Sequence, residues 1–245
     1  MNIRAVIFDY FGTLTVNVSA SVRRSGASRV AAALGVPADI FFDTISSTFT
    51  ERATGKCGDM MTTMAWVAHR CGCQPSPTQL AAACAVRSEI EGGYARMIRP
   101  EAVEILRDLT EEGLQVGVVS DCTHELPDCW GSLAISPWVD AAIFSVEIGQ
   151  RKPHPSLYLD VCERLGIAPA EAIYIGDGGS NELTGAKTVG MRAIRLVSSD
   201  AAEAFVYDAE ANWNGPIIES LTALTSDLVR GPDGQGRWQL RQSGA

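Results

Sequence analysis

Four short segments of this 245-residue chain carry side chains that suit anion or metal chemistry. In VIFDYFGTLT (6–15), Asp9 closes an apolar run and is followed by Phe11, Gly12 and Thr13. VVSD ends in Ser120 and Asp121, and GQRKPHP sets Lys152 before a proline read as the start of a helix. AIYIGDGGSNE closes on Asp177, with Asn181 and Glu182 just beyond. A carboxylate is already ionised at neutral pH and needs no base to act as a nucleophile. A lysine neutralises anionic oxygens, and carboxylates supply the hard oxygens that a divalent cation takes. Gly12 permits a sharp turn that aims backbone N–H groups at an anion. Each segment also has an ordinary reading: Ser120 and Asp121 as helix caps, Lys152 as a solvated loop lysine, Asp177-Gly-Gly as a turn.

The positions of the four segments along the chain favour chemistry. Ile3–Phe8 reads as a strand buried on both faces. After Pro100 helices alternate with strands: EAVEILRDLTEEG, LQVGVVS, VDAAIFS, HPSLYLDVCERLG, AIYIGD, NELTGAKTVG and MRAIRLV. That alternation predicts an α/β fold, a three-layer Rossmann-like core around a mostly parallel sheet. Residues 18–95 read as helices only, inserted after the first strand, with Gly35 as a stop and Ser76-Pro77 as a cap. The expected division is 1–17 and 96–230 for the core, 18–95 for the helical insert and 231–245 for a loose polar tail. Ligands bind outside the carboxyl ends of such strands, so the four polar ends should converge on one edge.

A formal charge of −9 argues against a nucleic-acid partner. No signal peptide or bilayer-length apolar run is evident, so no membrane partner is expected. Seven scattered cysteines, an odd number, suit free thiols in a reducing cytoplasm. His69, Cys71 and Cys73 lack a second ligand cluster and read as ordinary side chains rather than a metal site.

FDYFGTLT, VVSD, RKP and IGDGGSNE, in that order, resemble the four motifs of the haloacid dehalogenase superfamily, and the helical insert resembles its C1-type cap. The resemblance implies a hydrolase in which Asp9 is the covalent nucleophile. Ser120 would bind a phosphoryl oxygen, and Lys152 would neutralise the transferring group. Gly12, Thr13 and Asp121 would contact substrate. Mg²⁺ is the implied cofactor, held by Asp9, the Phe11 carbonyl, Asp177 and Asn181. Asn181 stands where the family has a second acidic residue, and Glu182 is the alternative.

Phe11 departs from the phosphatase pattern, which places a second aspartate two residues after the nucleophile. Phenylalanine carries no proton, so an acid/base contribution of roughly 10²–10⁴-fold is missing from that position. The expected activity is a phosphatase acting on a small phosphorylated or otherwise anionic substrate, with leaving groups that need little protonation or with His124 or a cap residue as proton source. A haloacid dehalogenase also fits an aromatic at this position but works without the Asp177-type ligand. A phosphonatase would need Lys56, the cap's one lysine, as a Schiff base. A degenerate, non-enzymatic binding domain is the remaining alternative. In the cap, Met60, Met61, Met64 and Trp66 could line an apolar pocket, and Arg23, Arg24 or Arg52 could meet a second anion. The oligomeric state is not indicated.

Overall fold

The computed structural model describes residues 3–224. The expected core boundary at 230 and the tail at 231–245 lie outside the described residues. In chain order the elements begin with β1 (Ala5–Phe8), followed by α1 (Ala20–Leu34), α2 (Ala38–Ser47), α3 (Phe49–Ala53), α4 (Met60–Arg70) and α5 (Pro77–Ala95). Next come α6 (Ala102–Glu111), β2 (Gln115–Ser120), α7 (Glu125–Cys129), β3 (Ala141–Phe144) and α8 (Ser145–Ile148). The chain then forms α9 (Pro155–Leu165), β4 (Ala172–Gly176), α10 (Glu182–Thr188), β5 (Arg192–Leu196) and β6 (Ile217–Ile218).

The strands pair only in parallel, in the order β3-β2-β1-β4-β5-β6. Alternate residues of the apolar runs feed two cores. Val6, Phe8, Val118 and Ile175 pack with Leu106 and Leu109 of α6. Ala5, Ile7, Val119 and Tyr174 pack with Leu157, Val161 and Leu165 of α9. A sheet buried on both faces explains why its strands read as continuous hydrophobic runs. The fold is therefore the three-layer α/β arrangement that the alternation predicts.

Helices α1, α2, α4 and α5 share a third core, built from residues such as Val30, Leu34, Phe41, Met64, Val67 and Ile90. Gly35 ends α1 in the left-handed conformation (φ 74°). Ser76 caps α5 reciprocally with Gln79, and Pro77 opens its first turn. One helix start is corrected. It falls at Pro155 rather than Pro153, because His154 caps it by accepting the Ser156 N–H. The short elements α7 and β6 carry too little periodic pattern to be read from the sequence. No single helix among the described residues is long and apolar enough to cross a membrane.

Candidate active site

Strand order reverses direction at β1: the chain runs outward through β2 and β3 on one side, then returns to β4 on the other. The crevice at such a switch point is where open α/β sheets bind ligands. Asp9 follows β1 and Asp177 follows β4, and the two strands are paired from Ala5↔Ala172 to Phe8↔Ile175. Their registered ends bring the two carboxylates together. Beyond Asp9 the chain turns through Gly12 at φ 84°, and a Cβ there would collide with the Asp177 carboxylate. Glycine is required at this position both for its conformation and for its lack of volume.

Lys152 is 4% exposed, and its Nζ lies 2.5 Å from both Asp9 Oδ1 and Glu182 Oε2. Tyr174 donates its hydroxyl to Glu182 Oε2 at 2.8 Å, and the Gly178 N–H donates to Oε1 at 2.9 Å. Burial opposes the lysine's charge, but Asp9 and Glu182 outweigh it and raise its pKa well above the ordinary value. Burial and the charge of Asp9 raise Glu182 well above the usual carboxylate range. The same two causes lift Asp177 to about 6. Ligand oxygens of Asp9, Asp177 and Glu182 all lie within 4.8 Å of one another. Fully ionised, the three carboxylates and the single ammonium carry a formal charge of −2. An all-oxygen donor set with that deficit fits a hard divalent cation.

Two buried hydroxyls in the same segments, those of Ser120 and Thr13, have no oxygen or nitrogen partner. Buried polar atoms are nearly always satisfied, so each of these two orphans calls for an explanation such as a catalytic role, a water or an ion. The Asp121 carboxylate is held by Arg151 Nε at 3.1 Å and by the Lys152 N–H at 2.9 Å. It therefore fixes the loop that carries Lys152 as well as lining the cavity. Asn181 is exposed, whereas Glu182 points inside. Of Asn181, the residue expected at the metal, and its alternative Glu182, it is Glu182 that joins the acidic cluster: Ser180 and Asn181 are both left-handed (φ 55° and 50°) as the chain enters α10, and Glu182 is the first helical residue.

A cavity of about 750 Å³, open to solvent, is lined by Asp9, Phe11, Asp121, Lys152 and Asp177. Arg23, Phe49 and Glu91 contribute to it from the helical insert, and Phe205, Val206 and Tyr207 from the segment after β5. Phe49 and Tyr207 stack with centroids 4.1 Å apart. Met60, Met61, Met64 and Trp66, which could have lined an apolar pocket, do not line this cavity: Met64 lies in the helical core and Met61 is half exposed. Lys56 is exposed and does not line the cavity. The His124 ring nitrogen Nε2 pairs with the Gly58 carbonyl at 2.8 Å. Neither side chain is placed for the role that the sequence leaves open to it. Cys71 and Cys73 bond to Thr44 and the Leu34 carbonyl respectively, and all seven cysteines are free.

Arg99 gives no signal in the sequence. It is 7% exposed, and its guanidinium donates to the carbonyls of Thr13 and Gly12, each at 3.0 Å. It also reaches Ser198 at 2.9 Å and Asp200 at 3.0 Å. Arg99 thus clamps the turn that follows Asp9. Arg151 sits beside the singled-out Lys152 and spans Asp121, Ser180, Asp208 and, in the helical insert, Thr50.

The charge cluster has a measurable consequence in metal-free protein. A carboxyl raised from 3.8 to about 6 binds more protons folded than unfolded in that window. Stability therefore falls as pH rises through it. Asp177→Asn removes this penalty while its amide oxygen can still accept the Gly179 N–H. In EDTA at pH 8 the variant is expected to exceed the parent by about 1–3 kcal/mol, with the gain vanishing near pH 4. Urea denaturation at the two pH values checks this.

A family profile described as hydrolase, haloacid dehalogenase-like hydrolase, matches residues 3–190. The chain is 27% identical over 196 residues to a glyceraldehyde 3-phosphate phosphatase from Methanopyrus kandleri, spanning 79% of this chain and 84% of that protein. Among solved structures it resembles the 2-haloacid dehalogenase from Pseudomonas syringae pv. tomato DC3000, with a TM-score of 0.66 and 23% identity over 91% of this chain and 96% of that one. It also resembles CbbY from Rhodobacter sphaeroides in complex with xylulose-1,5-bisphosphate, with a TM-score of 0.60 and 18% identity over 91% and 96%. At these identities the two structures speak for the fold alone.

Proposed function

The chain belongs to the haloacid dehalogenase-like hydrolases, and from that premise we propose that it is a Mg²⁺-dependent phosphatase acting on a small phosphorylated metabolite. The observation that carries this reading is the cluster of Asp9, Asp177 and Glu182, with Lys152 paired to Asp9 and Glu182, opening onto a cavity. The phosphatase activity of the Methanopyrus kandleri relative supports the same class of reaction.

An Asp9 oxygen attacks phosphorus as the bond to the leaving oxygen breaks, giving an aspartyl-phosphate that water then hydrolyses. Lys152 steadies the negative charge that builds on the transferring group. The Ser120 and Thr13 hydroxyls hold phosphoryl oxygens, and Arg99 and Asp121 keep the two loops in place. Asp9, the Phe11 carbonyl and Asp177 would hold Mg²⁺, with Glu182 behind them. When bound, the ion shields the approach of one anion to another. In this reading residues 18–95 are a cap over the core, and the free thiols suit a reducing cytoplasm. The formal charge of −9 gives no reason to add a nucleic-acid or membrane partner.

Phe11 favours substrates whose leaving group is already a weak base, such as acyl phosphates. The same residue is what favours haloacid dehalogenation as a second reading. A screen of phosphate esters and 2-haloacids, with and without Mg²⁺, separates the two. Phosphate release that stops in EDTA is expected; halide release indifferent to EDTA would overturn the phosphatase reading. Phe11→Asp restores a carboxyl beside the nucleophile. Its turnover of alkyl phosphates is expected to rise, by up to about 10²–10⁴-fold. No rise in steady-state assays would show that the missing acid is not what limits the enzyme.

A further inference from the structure

A second cavity, walled mostly by the cap helices, adjoins the catalytic one, and Arg23, Phe49, Glu91, Thr123, Phe205 and Tyr207 line both. Much of its remaining wall is apolar, including Val30, Phe41, Ile45 and Ile90. Arg23, Arg52 and Arg87 also line it, with Glu91 as the one carboxylate among the lining residues.

The three arginines are not equivalent. Arg87 is satisfied: it pairs with buried Glu125, donates to Thr123 Oγ1 at 3.2 Å and lies 3.8 Å from Glu91. Arg52 is 4% exposed and donates one nitrogen to the Ile45 carbonyl at 2.5 Å, but its Nε is buried without a partner. Arg23 Nε is also buried and partnerless, and its guanidinium lies 5.6 Å and 5.9 Å from the ring centres of Tyr94 and Phe205. Arg24, its neighbour in sequence, points elsewhere, pairing with Asp39 at 3.2 Å and stacking 4.1 Å from the Phe42 ring.

Burial, with the like charge of Arg87 adding to it, pushes Arg52 down to about 10. A desolvated cation with an unused donor is costly to keep in an apolar wall. An anion seated against it would remove that penalty through charge-assisted hydrogen bonds. Packing alone would be served better by an aliphatic side chain.

We infer that this chamber receives a second anionic group of the substrate, held by Arg52 and Arg23 while the transferred phosphoryl lies at Asp9. The inference rests on the phosphatase reading above. It makes the preferred substrate doubly charged, either a phosphorylated carboxylic acid or a bisphosphate.

Three matched, non-hydrolysable probes test it by calorimetric titration of the full chain with Mg²⁺ present: butylphosphonate, 4-phosphonobutyrate and butane-1,4-bisphosphonate. At least one doubly charged probe is expected to bind about 10- to 100-fold more tightly than butylphosphonate. Which one does so tells a carboxylate from a phosphate. Arg52→Met should remove most of that preference while leaving butylphosphonate affinity unchanged, and Arg23→Gln, at a residue that also lines the catalytic cavity, should weaken the preferred doubly charged probe at least about tenfold more than butylphosphonate. Arg23 is partly exposed, so its variant serves if Arg52→Met fails to fold. Equal affinity for all three probes, no binding of any, or a preference that persists in the folded variants overturns the inference. Turnover of p-nitrophenyl phosphate by the same preparation judges the phosphatase reading separately.

Discussion

Asp9→Asn is expected to abolish turnover, by about 10⁴-fold or more, while leaving the protein at least as stable as its parent. The amide has no charge with which to attack phosphorus and cannot form the covalent intermediate. Stability should not suffer, because Lys152 keeps its contact with Glu182 at 2.5 Å. Burial already raises the Asp9 carboxyl above its usual value, against the pull of Lys152. Removing one of three clustered carboxylates therefore relieves repulsion as well as losing an ion pair. Phosphate-release assays and urea denaturation on one preparation read both effects. Turnover within tenfold of the parent by a correctly folded variant would end the nucleophile assignment.

Lys152→Met should do the opposite to stability. Asp9, Asp177 and Glu182 would be left within 4.8 Å of one another with no cation among them. Breaking a buried pair by deleting one partner costs about 3–5 kcal/mol, because the charge left behind is uncompensated. If Lys152 steadies the transferring phosphoryl as proposed, its loss adds a fall in turnover of about 10²–10³-fold. The stability deficit should shrink as pH falls from 8 towards 5, since protonating the carboxylates removes their repulsion. A deficit that stays constant across that range would mean that lost packing, not charge, is responsible. The two variants thus share inactivity and differ in the sign of their effect on folding, which a merely structural cluster would not produce.

Much of this was legible from residue order. Apolar runs of four to six residues, buried on both faces, announced β1, β2 and β4. Glycine and Ser-Pro signals bounded α1 and α5, because a left-handed cap and a first-turn proline are local backbone requirements. The polar ends of those runs could be expected to meet, since parallel strands in one sheet present their carboxyl ends on one edge.

What residue order left open was decided by contacts between distant parts of the chain. Lys152 meets Asp9 across 143 positions and Arg99 reaches the Gly12 carbonyl across 87. No local pattern encodes either contact. Whether Asn181 or Glu182 joins the acidic cluster turned on two consecutive left-handed residues before α10, Ser180 and Asn181. His124 and Lys56 were plausible by type, but one is bonded to a carbonyl and the other faces solvent. Among three arginines of similar sequence context, only packing showed which guanidinium nitrogens were buried without partners. Periodicity records how a segment faces its own neighbours; the partners of a charged side chain are set by where the fold carries it.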